Sequence, residues 1–348
     1  LETMEGTHLD LKPTRLNYFR GEIHSPLTQD LFTLSQTLGS PLESYYKGQQ
    51  LRHEIRLEEN ATAITEKRIA LKTKLAFNEW IYLHHKKKIR RKEMNLYADF
   101  QRIASLRHQQ GVSTILEKTT ADTKLYRAQN NLNHLYKEIA RAENRLRNLM
   151  FTDHKLLPAT DSLHLYRIQY SGDDPSEMIS NMLRDYHQEK VTIEALKVKA
   201  QKADLLPDIR AGYFSQNLEG QNSLNGWSIG ISVPLWFRPK QAEIKKARID
   251  QAIAENNRQQ KLKEQQTRIQ DLLRELNALR EQLDYYHNQA LKQAELLVNT
   301  SRKKYAGEDI SYTEYIQGIQ SAWDIRSDYL KALKSYNEIA IELEFYIK

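Results

Sequence analysis

Pro207-Asp208-Ile209-Arg210-Ala211-Gly212-Tyr213-Phe214 restates Pro13-Thr14-Arg15-Leu16-Asn17-Tyr18-Phe19 at a separation of roughly 194 residues. The echo continues outward. Thr33-Leu34-Ser35-Gln36-Thr37-Leu38-Gly39-Ser40-Pro41-Leu42 returns as Gly226-Trp227-Ser228-Ile229-Gly230-Ile231-Ser232-Val233-Pro234-Leu235, and Gly111 finds its counterpart in Gly307. A period this long is not that of a solenoid, whose units span about 20–50 residues. It reads as a duplicated half: strand, turn, strand, very long helix, tight turn, shorter helix. The fold class is mainly α with a minor β part: twofold-repeated long helical hairpins, of α-barrel or coiled-coil type, plus four short strands.

Prolines punctuate this pattern. The eight stand at 13, 26, 41, 158, 175, 207, 234 and 239, and none interrupts a stretch with long helical periodicity, where each would cost about 3 kcal/mol. Residues 1–12 form a lead-in. The first repeat, 13–150, holds a strand pair at 14–38, a long helix at 43–110 and a helix at 114–150. A connector at 151–174 contains Leu163-His164-Leu165-Tyr166-Arg167-Ile168, a candidate short strand. The second repeat, 175–348, opens with an incoming helix at 175–206, begun by Asp174-Pro175. A strand pair at 208–234, a long helix at 240–306 and a helix at 311–347 follow. At 1.5 Å per residue each long helix would run about 100 Å. Gly111 and Gly307 mark the reversals, where a left-handed residue is expected past a helix end.

The second long helix states its packing rule. Ile269, Leu272, Leu276, Leu279, Leu283, Tyr286, Ala290, Ala294 and Leu297 are spaced mostly by alternating threes and fours, a coiled-coil seam. Nearer its start the apolar positions shrink to Ala242, Ala247, Ala252 and Ala254. Such residues either let neighbouring helices approach closely, where a helical wall curves or closes, or simply favour helix.

Composition agrees with long helices. Of 348 residues, 28% are charged, Gly and Pro are scarce, and Lys, Glu, Gln, Leu and Ala dominate. The mean hydropathy of −0.72 leaves too little apolar material for a large globular core. No run of about 18 apolar residues is present to form a membrane-spanning helix. With no cysteine, disulfides and thiolate metal sites are excluded. The net charge of +7 and the run Lys86-Lys87-Lys88-Ile89-Arg90-Arg91-Lys92 could suit nucleic acid. No base-reading module accompanies them, so the run reads as a solvated helix face or partner contact.

The strands face two environments. Trp227, Ile229, Ile231 and Val233 alternate with Ser228, Gly230 and Ser232; Phe32, Leu34 and Leu38 alternate with Thr33, Ser35 and Thr37. A period of two is a half-buried strand. The uncharged polar side suits a water-filled lumen and the apolar side suits lipid or a core. Four strands cannot close a barrel alone, and open edges are a liability. Either they pair into a small sandwich, or several chains pool strands into one barrel.

On these residues the chain resembles the TolC-type outer membrane efflux channels. Leu206-Pro207-Asp208-Ile209 with Gly212-Tyr213-Phe214, and then Trp227 through Phe237, are similar to that family's second strand pair. Tyr305-Ala306-Gly307-Glu308-Asp309-Ile310-Ser311-Tyr312-Thr313-Glu314-Tyr315-Ile316-Gln317 is similar to its helix reversal. Tyr18 through Ser25 and Phe32 through Gln36 look most like the branch associated with, or fused to, heavy-metal transporters of the CusA/CzcA type. The resemblance spans about residues 11–348.

It implies a homotrimer whose protomers each give four strands to one outer-membrane barrel, with Trp227, Ile229, Ile231 and Val233 facing lipid. The helices would form a periplasmic tunnel. The location implied is the outer membrane and periplasm of a Gram-negative bacterium. A periplasmic adaptor (membrane fusion) protein would dock at the tips near Gly111 and Gly307, with an inner-membrane RND transporter as the further partner. Glu314 matches a family acid that narrows the entrance. Gln317 stands where a second acid often sits, and Glu308 and Asp309 add nearby negative charge. A ring of such carboxylates favours cations. The first half lacks a counterpart of the helix at 175–206 and has no initiator Met. The expectation is that the natural protein extends upstream by a helix of about 30 residues.

Catalytic chemistry has no foothold in the sequence. His84-His85 is the only adjacent histidine pair and abuts positive charge. No phosphate loop, HExxH or nucleophile elbow occurs. The expectation is a passive conduit for heavy-metal cations, not an enzyme, with no cofactor and no nucleic acid. The alternative is a periplasmic coiled-coil adaptor or scaffold with a small soluble β domain.

Overall fold

Ser40 and Pro41 start the first long helix in the computed structural model, which describes residues 13–22, 29–170, 174–218, 221–233, 237–307 and 309–347. Ser40 is buried and its Oγ accepts from the Glu43 N–H, while Pro41 takes the first helical position, where a missing N–H is harmless. The lead-in 1–12, Pro234 and Glu308 lie outside the described residues.

In chain order the elements are β1 (Arg15–Gly21), β2 (Gln29–Gly39), α1 (Pro41–Gln109), α2 (Ile115–Leu149), α3 (Pro175–Met178), α4 (Asn181–Ala203), β3 (Asp208–Leu218), β4 (Gln221–Ser232), α5 (Phe237–Tyr285), a π-turn (Tyr286–Ala290), α6 (Leu291–Ala306) and α7 (Tyr312–Ile347). Two compact units emerge. One comprises residues 1–64 and 181–264, the other 65–180 and 265–348.

The first unit contains one antiparallel sheet in the order β1-β2-β3-β4. The strands therefore do not split into a sandwich. The two strand pairs join through β2 and β3, with Leu34 opposite Tyr213 and Phe32 opposite Ser215. β1 and β4 are the edges.

The second unit is held by the predicted seam. Ile269, Leu272, Leu276, Leu283, Ala290 and Ala294 are buried, and Leu279, Tyr286 and Leu297 are half-buried. The seam contains two successive fours, 286 to 290 to 294. In an uninterrupted α-helix these would rotate the stripe by about 80°. The π-turn, where the Leu291 N–H reaches back to the Tyr286 carbonyl, falls on that stretch and absorbs the drift. The expected single helix 240–306 is thus α5, a wide turn and α6. The alanines at its start do not form a packed stripe within the described chain. Ala242 and Ala252 are exposed, and Ala247 and Ala254 half-buried.

Two further expectations are corrected. The helix expected at 175–206 breaks after Met178. Ile179 is extended, with φ −61° and ψ 126°, and the Ser180 N–H donates to the Tyr346 carbonyl at 2.8 Å. The chain leaves the helix to cap one of the unsatisfied carbonyls at the end of α7, and α4 then stops at Ala203. The segment 163–168 is not a strand. It is pinned by side chains instead. Asn337 Oδ1 accepts from the Tyr166 N–H at 2.8 Å, and Asn337 Nδ2 donates to the His164 carbonyl at 2.8 Å. The Leu163 N–H donates to His85 Nδ1 at 3.2 Å.

Asn337 also donates to Asn78 Oδ1 at 3.0 Å, and Asn78 Nδ2 donates to the Lys334 carbonyl at 3.2 Å. Both asparagines are buried. At the rim, Lys74 Nζ donates to the Tyr166 hydroxyl and to Glu344, at 2.9 and 2.6 Å. Asn337→Ala strands a buried amide and two connector backbone groups, so it should lower unfolding free energy by about 3 kcal/mol. Lys74→Met, at a half-exposed ion pair, should cost less than about 1 kcal/mol. Urea titration followed by helical circular dichroism checks both.

Candidate functional site

Gly111 sits at φ +73° and ends α1 in a Schellman turn. The Val112 N–H reaches the Arg107 carbonyl at 2.9 Å and the Gly111 N–H reaches His108 at 3.0 Å. Gly307 behaves differently. Its φ of −87° is open to any residue, and the reversal is closed by the Asp309 N–H on the Lys304 carbonyl at 2.9 Å. The expectation of a left-handed glycine holds at Gly111 and fails at Gly307.

Each reversal is followed by a helix with its own cap. Thr114 accepts from the Glu117 N–H at 3.2 Å. Ser311 and Glu314 form a reciprocal box. Ser311 Oγ accepts from the Glu314 N–H at 3.3 Å, while Glu314 Oε2 accepts from the Ser311 N–H and Oγ–H, both at 2.8 Å. The Ser311 N–H and hydroxyl, which bond the ionised form, hold the Glu314 carboxyl below its ordinary value. Glu314 therefore stays charged while fastening its own helix, a local role distinct from the entrance role that the resemblance implies. Gln317 is exposed one turn later.

Asp309 and Glu314 line one cleft of 1280 Å³ with Arg107, Glu117, Tyr305 and Tyr312. Glu308 is outside the described residues. The cleft floor is aromatic. Phe100 stacks on Tyr312 and Tyr305 on Tyr315, each pair at 17° between planes. Gln320 donates to the Tyr97 hydroxyl at 2.7 Å. Burial pushes the Tyr97 phenol up to about 12. Burial, together with the neighbouring Tyr305, raises that of Tyr312. These groups are neutral at any physiological pH, so the charge of the cleft belongs to Asp309, Glu117, Glu314 and Arg107.

Arg107, Glu117 and the aromatic floor were not singled out in the sequence. Glu117 was nevertheless visible, since Thr114-x-x-Glu117 and Ser311-x-x-Glu314 are the same capping pattern in both halves. Among the described residues no group of three His, Cys, Asp or Glu could hold a metal ion, and no helix is long and apolar enough to cross a membrane.

A separate surface lies on the sheet. Cross-strand partners share a face. The pairs Ile209–Ile231, Ala211–Ile229 and Tyr213–Trp227 continue through Tyr213–Leu34 to Leu34–Leu16, and Phe32 pairs with Tyr18. The face is apolar and uncovered. Trp227, Ile229 and Ile231 are 81%, 86% and 72% exposed. Val233, the fourth predicted member, follows β4 and is half-exposed. The band ends at Arg20, Asp30 and Asn225. There the Tyr18 hydroxyl donates to Asp30 at 2.6 Å and Arg20 lies 3.8 Å from the same carboxylate. The opposite face carries Asn17, Thr33, Ser35, Arg210, Ser228 and Ser232. On it the Phe214 ring lies across Gly226, where a Cβ would come within 2.4 Å of the ring.

Gly111→Ala should destabilise the first reversal by about 1 kcal/mol, the cost of a left-handed alanine. Gly307→Ala, whose Cβ would meet nothing nearer than 3.5 Å, should be close to neutral. Amide exchange of the two turns distinguishes the variants.

No protein-family model matches the sequence, and no curated protein matches it. Solved structures do match. The chain is similar to CusC, a structure described in terms of transmembrane channel formation, at 15% identity and a TM-score of 0.80, covering 99% of this chain and 85% of that one. It is similar to the CmeC outer membrane channel of Campylobacter jejuni at 13% identity and TM-score 0.77, covering 99% and 79%. It is also similar to the open state of the Neisseria gonorrhoeae MtrE outer membrane channel at 11% identity and TM-score 0.79, covering 99% and 82%. The long helices, the four-stranded sheet and these likenesses together establish that the chain has the fold of the TolC-type outer membrane efflux channels.

Proposed function

We propose that this chain is a subunit of an outer-membrane efflux duct. It acts as a homotrimer in the outer membrane and periplasm of a Gram-negative bacterium and forms the passive exit of a tripartite pump. The observation that carries the reading is the single sheet with two free edges and an uncovered apolar face. Such a sheet is physically incomplete until strands from other copies meet its edges and lipid meets its face. Three copies would supply twelve strands, an even number as outer-membrane barrels require.

In this reading residues 13–150 and 175–348 are the two repeats, joined by the connector 151–174. Trp227, Ile229, Ile231 and Val233 face lipid. The reversals at Gly111 and Gly307 receive a periplasmic adaptor, with an inner-membrane RND transporter beyond it. Asp309, Glu314 and Glu308, with Gln317 beside them, surround the entrance. Threefold repetition of these carboxylates favours cations. The heavy-metal branch resemblance of Tyr18 through Gln36 adds the cargo: heavy-metal cations. The duct makes and breaks no covalent bond.

Outer-membrane fractionation and detergent-phase mass measurement test the core of the reading. The chain should float with outer membranes and run as a trimer; a water-soluble monomer would sink it. Ile229→Lys should reduce trimer assembly, since a cation on the lipid face costs about 2–4 kcal/mol near the midplane. Ser228→Lys, on the opposite face, should assemble normally. The cargo is tested separately. Deleting the gene should lower tolerance to copper, silver, zinc or cobalt salts, and unchanged tolerance to all four would exclude heavy-metal export.

A further inference from the structure

A second cavity, of 310 Å³, opens among α1, the connector, α6 and α7. Its polar lining is unusual in sign. Lys88, Lys92, Arg326, His85 and Ser162 face it, and no carboxylate does. Its walls are apolar and aromatic, with Trp323, Tyr329 and Leu291 among them.

The cations differ in how they are satisfied. Lys88 is paired with Asp161 and also reaches Ser162 Oγ at 3.5 Å. Arg326 is half-buried, and among the described residues neither it nor Lys92 has a hydrogen-bond or ion-pair partner. A guanidinium partly withdrawn from water with nothing to bond carries an uncompensated desolvation cost. His85 adds a donor. Its Nδ1 accepts from the Leu163 N–H, so its proton sits on Nε2. Burial and the neighbouring Lys88 charge keep the ring neutral by lowering its pKa.

From this cationic lining without a carboxylate we propose that the cavity binds a small organic oxyanion, a phosphate monoester or carboxylate. Its charged end lies on Arg326 and Lys92 and its flat apolar end against Trp323 and Tyr329. The chemistry is planar, bidentate-capable recognition by Arg combined with an aromatic wall. The volume lies at the lower end of the range for small-molecule sites. A bare metal cation is excluded by the same lining, so the site is distinct from any cation path at the tip. A bound anion would tie α1, the connector and α7 together through one ligand.

The test uses the full-length protein, purified as it assembles, with phenyl phosphate as probe and fluorescence of Trp323 as readout. Phenyl phosphate should quench saturably at constant ionic strength, and phenol should not. Arg326→Gln and Lys92→Gln should each weaken binding by roughly tenfold or more, as expected for losing one charged hydrogen-bond partner. Arg141→Gln, a cation in a separate groove beside Lys72 and Arg145, should leave binding unchanged. Trp323→Phe should remove the optical signal while calorimetric binding persists. Helical circular dichroism of each variant ensures that folding is not what changed. Absence of saturable binding, equal binding of phenol, or an equal loss in Arg141→Gln would overturn the proposal. None of these outcomes bears on whether the chain forms an outer-membrane duct.

Discussion

The hydrogen bond between Asn78 and Asn337 is the constraint on which the second unit turns. A buried amide pair costs free energy unless both ends are satisfied. Here Asn78 uses the Lys334 carbonyl, and Asn337 uses the backbone of His164 and Tyr166. One residue on α7 therefore sets the register of α7 against α1 and simultaneously gives the irregular connector two backbone hydrogen bonds. Apolar seams tolerate sliding, whereas a polar pair at one level does not. The leucines and alanines of the seam supply area, and the asparagines supply a unique alignment.

The same separation of roles recurs at the sheet. Period-two alternation sorts Trp227, Ile229 and Ile231 from Ser228, Gly230 and Ser232 without fixing what covers either face. The fold leaves that apolar face bare and both edge strands free. In the proposed trimer those features become the lipid surface and the joints between protomers. Polar groups at the margin of the band, Arg20 and Asp30 with the Tyr18 hydroxyl, mark where the apolar zone ends.

Much of this was legible from residue order. The 194-residue echo and the prolines gave the succession of elements, because proline and period-two alternation act locally on the backbone. The seam at 269–297 was legible because helical spacing is likewise local, whereas the wide turn that absorbs its doubled four was not anticipated. The caps at Thr114 and Ser311 are also written in the sequence, because Thr114-x-x-Glu117 and Ser311-x-x-Glu314 bond within one turn. Gly307 misled because glycine permits a left-handed turn without requiring one. The break at Ile179-Ser180 was not legible, since its cause is a carbonyl 166 residues away, at Tyr346. Nor was the union of Asn78 with Asn337, or of Lys92 with Arg326 around one cavity. Those depend on which helices become neighbours, and a helical period alone does not say so.

The π-turn at Tyr286–Ala290 carries a further consequence. It holds one residue more than an α-helical path would need, so its length is a matter of phase as well as reach. Removing a single residue there would let the backbone close into ordinary α-helix and restore the alternation of threes and fours, so Ala294 would stay in the seam. Keeping every residue but winding the stretch as regular α-helix would instead turn α6 by about 80°, moving Ala294 out of the seam and polar neighbours into it. A helix can thus be locally sound and globally wrong. The wide turn acts as the timing mark that keeps the two stretches of this long helix facing the same partner.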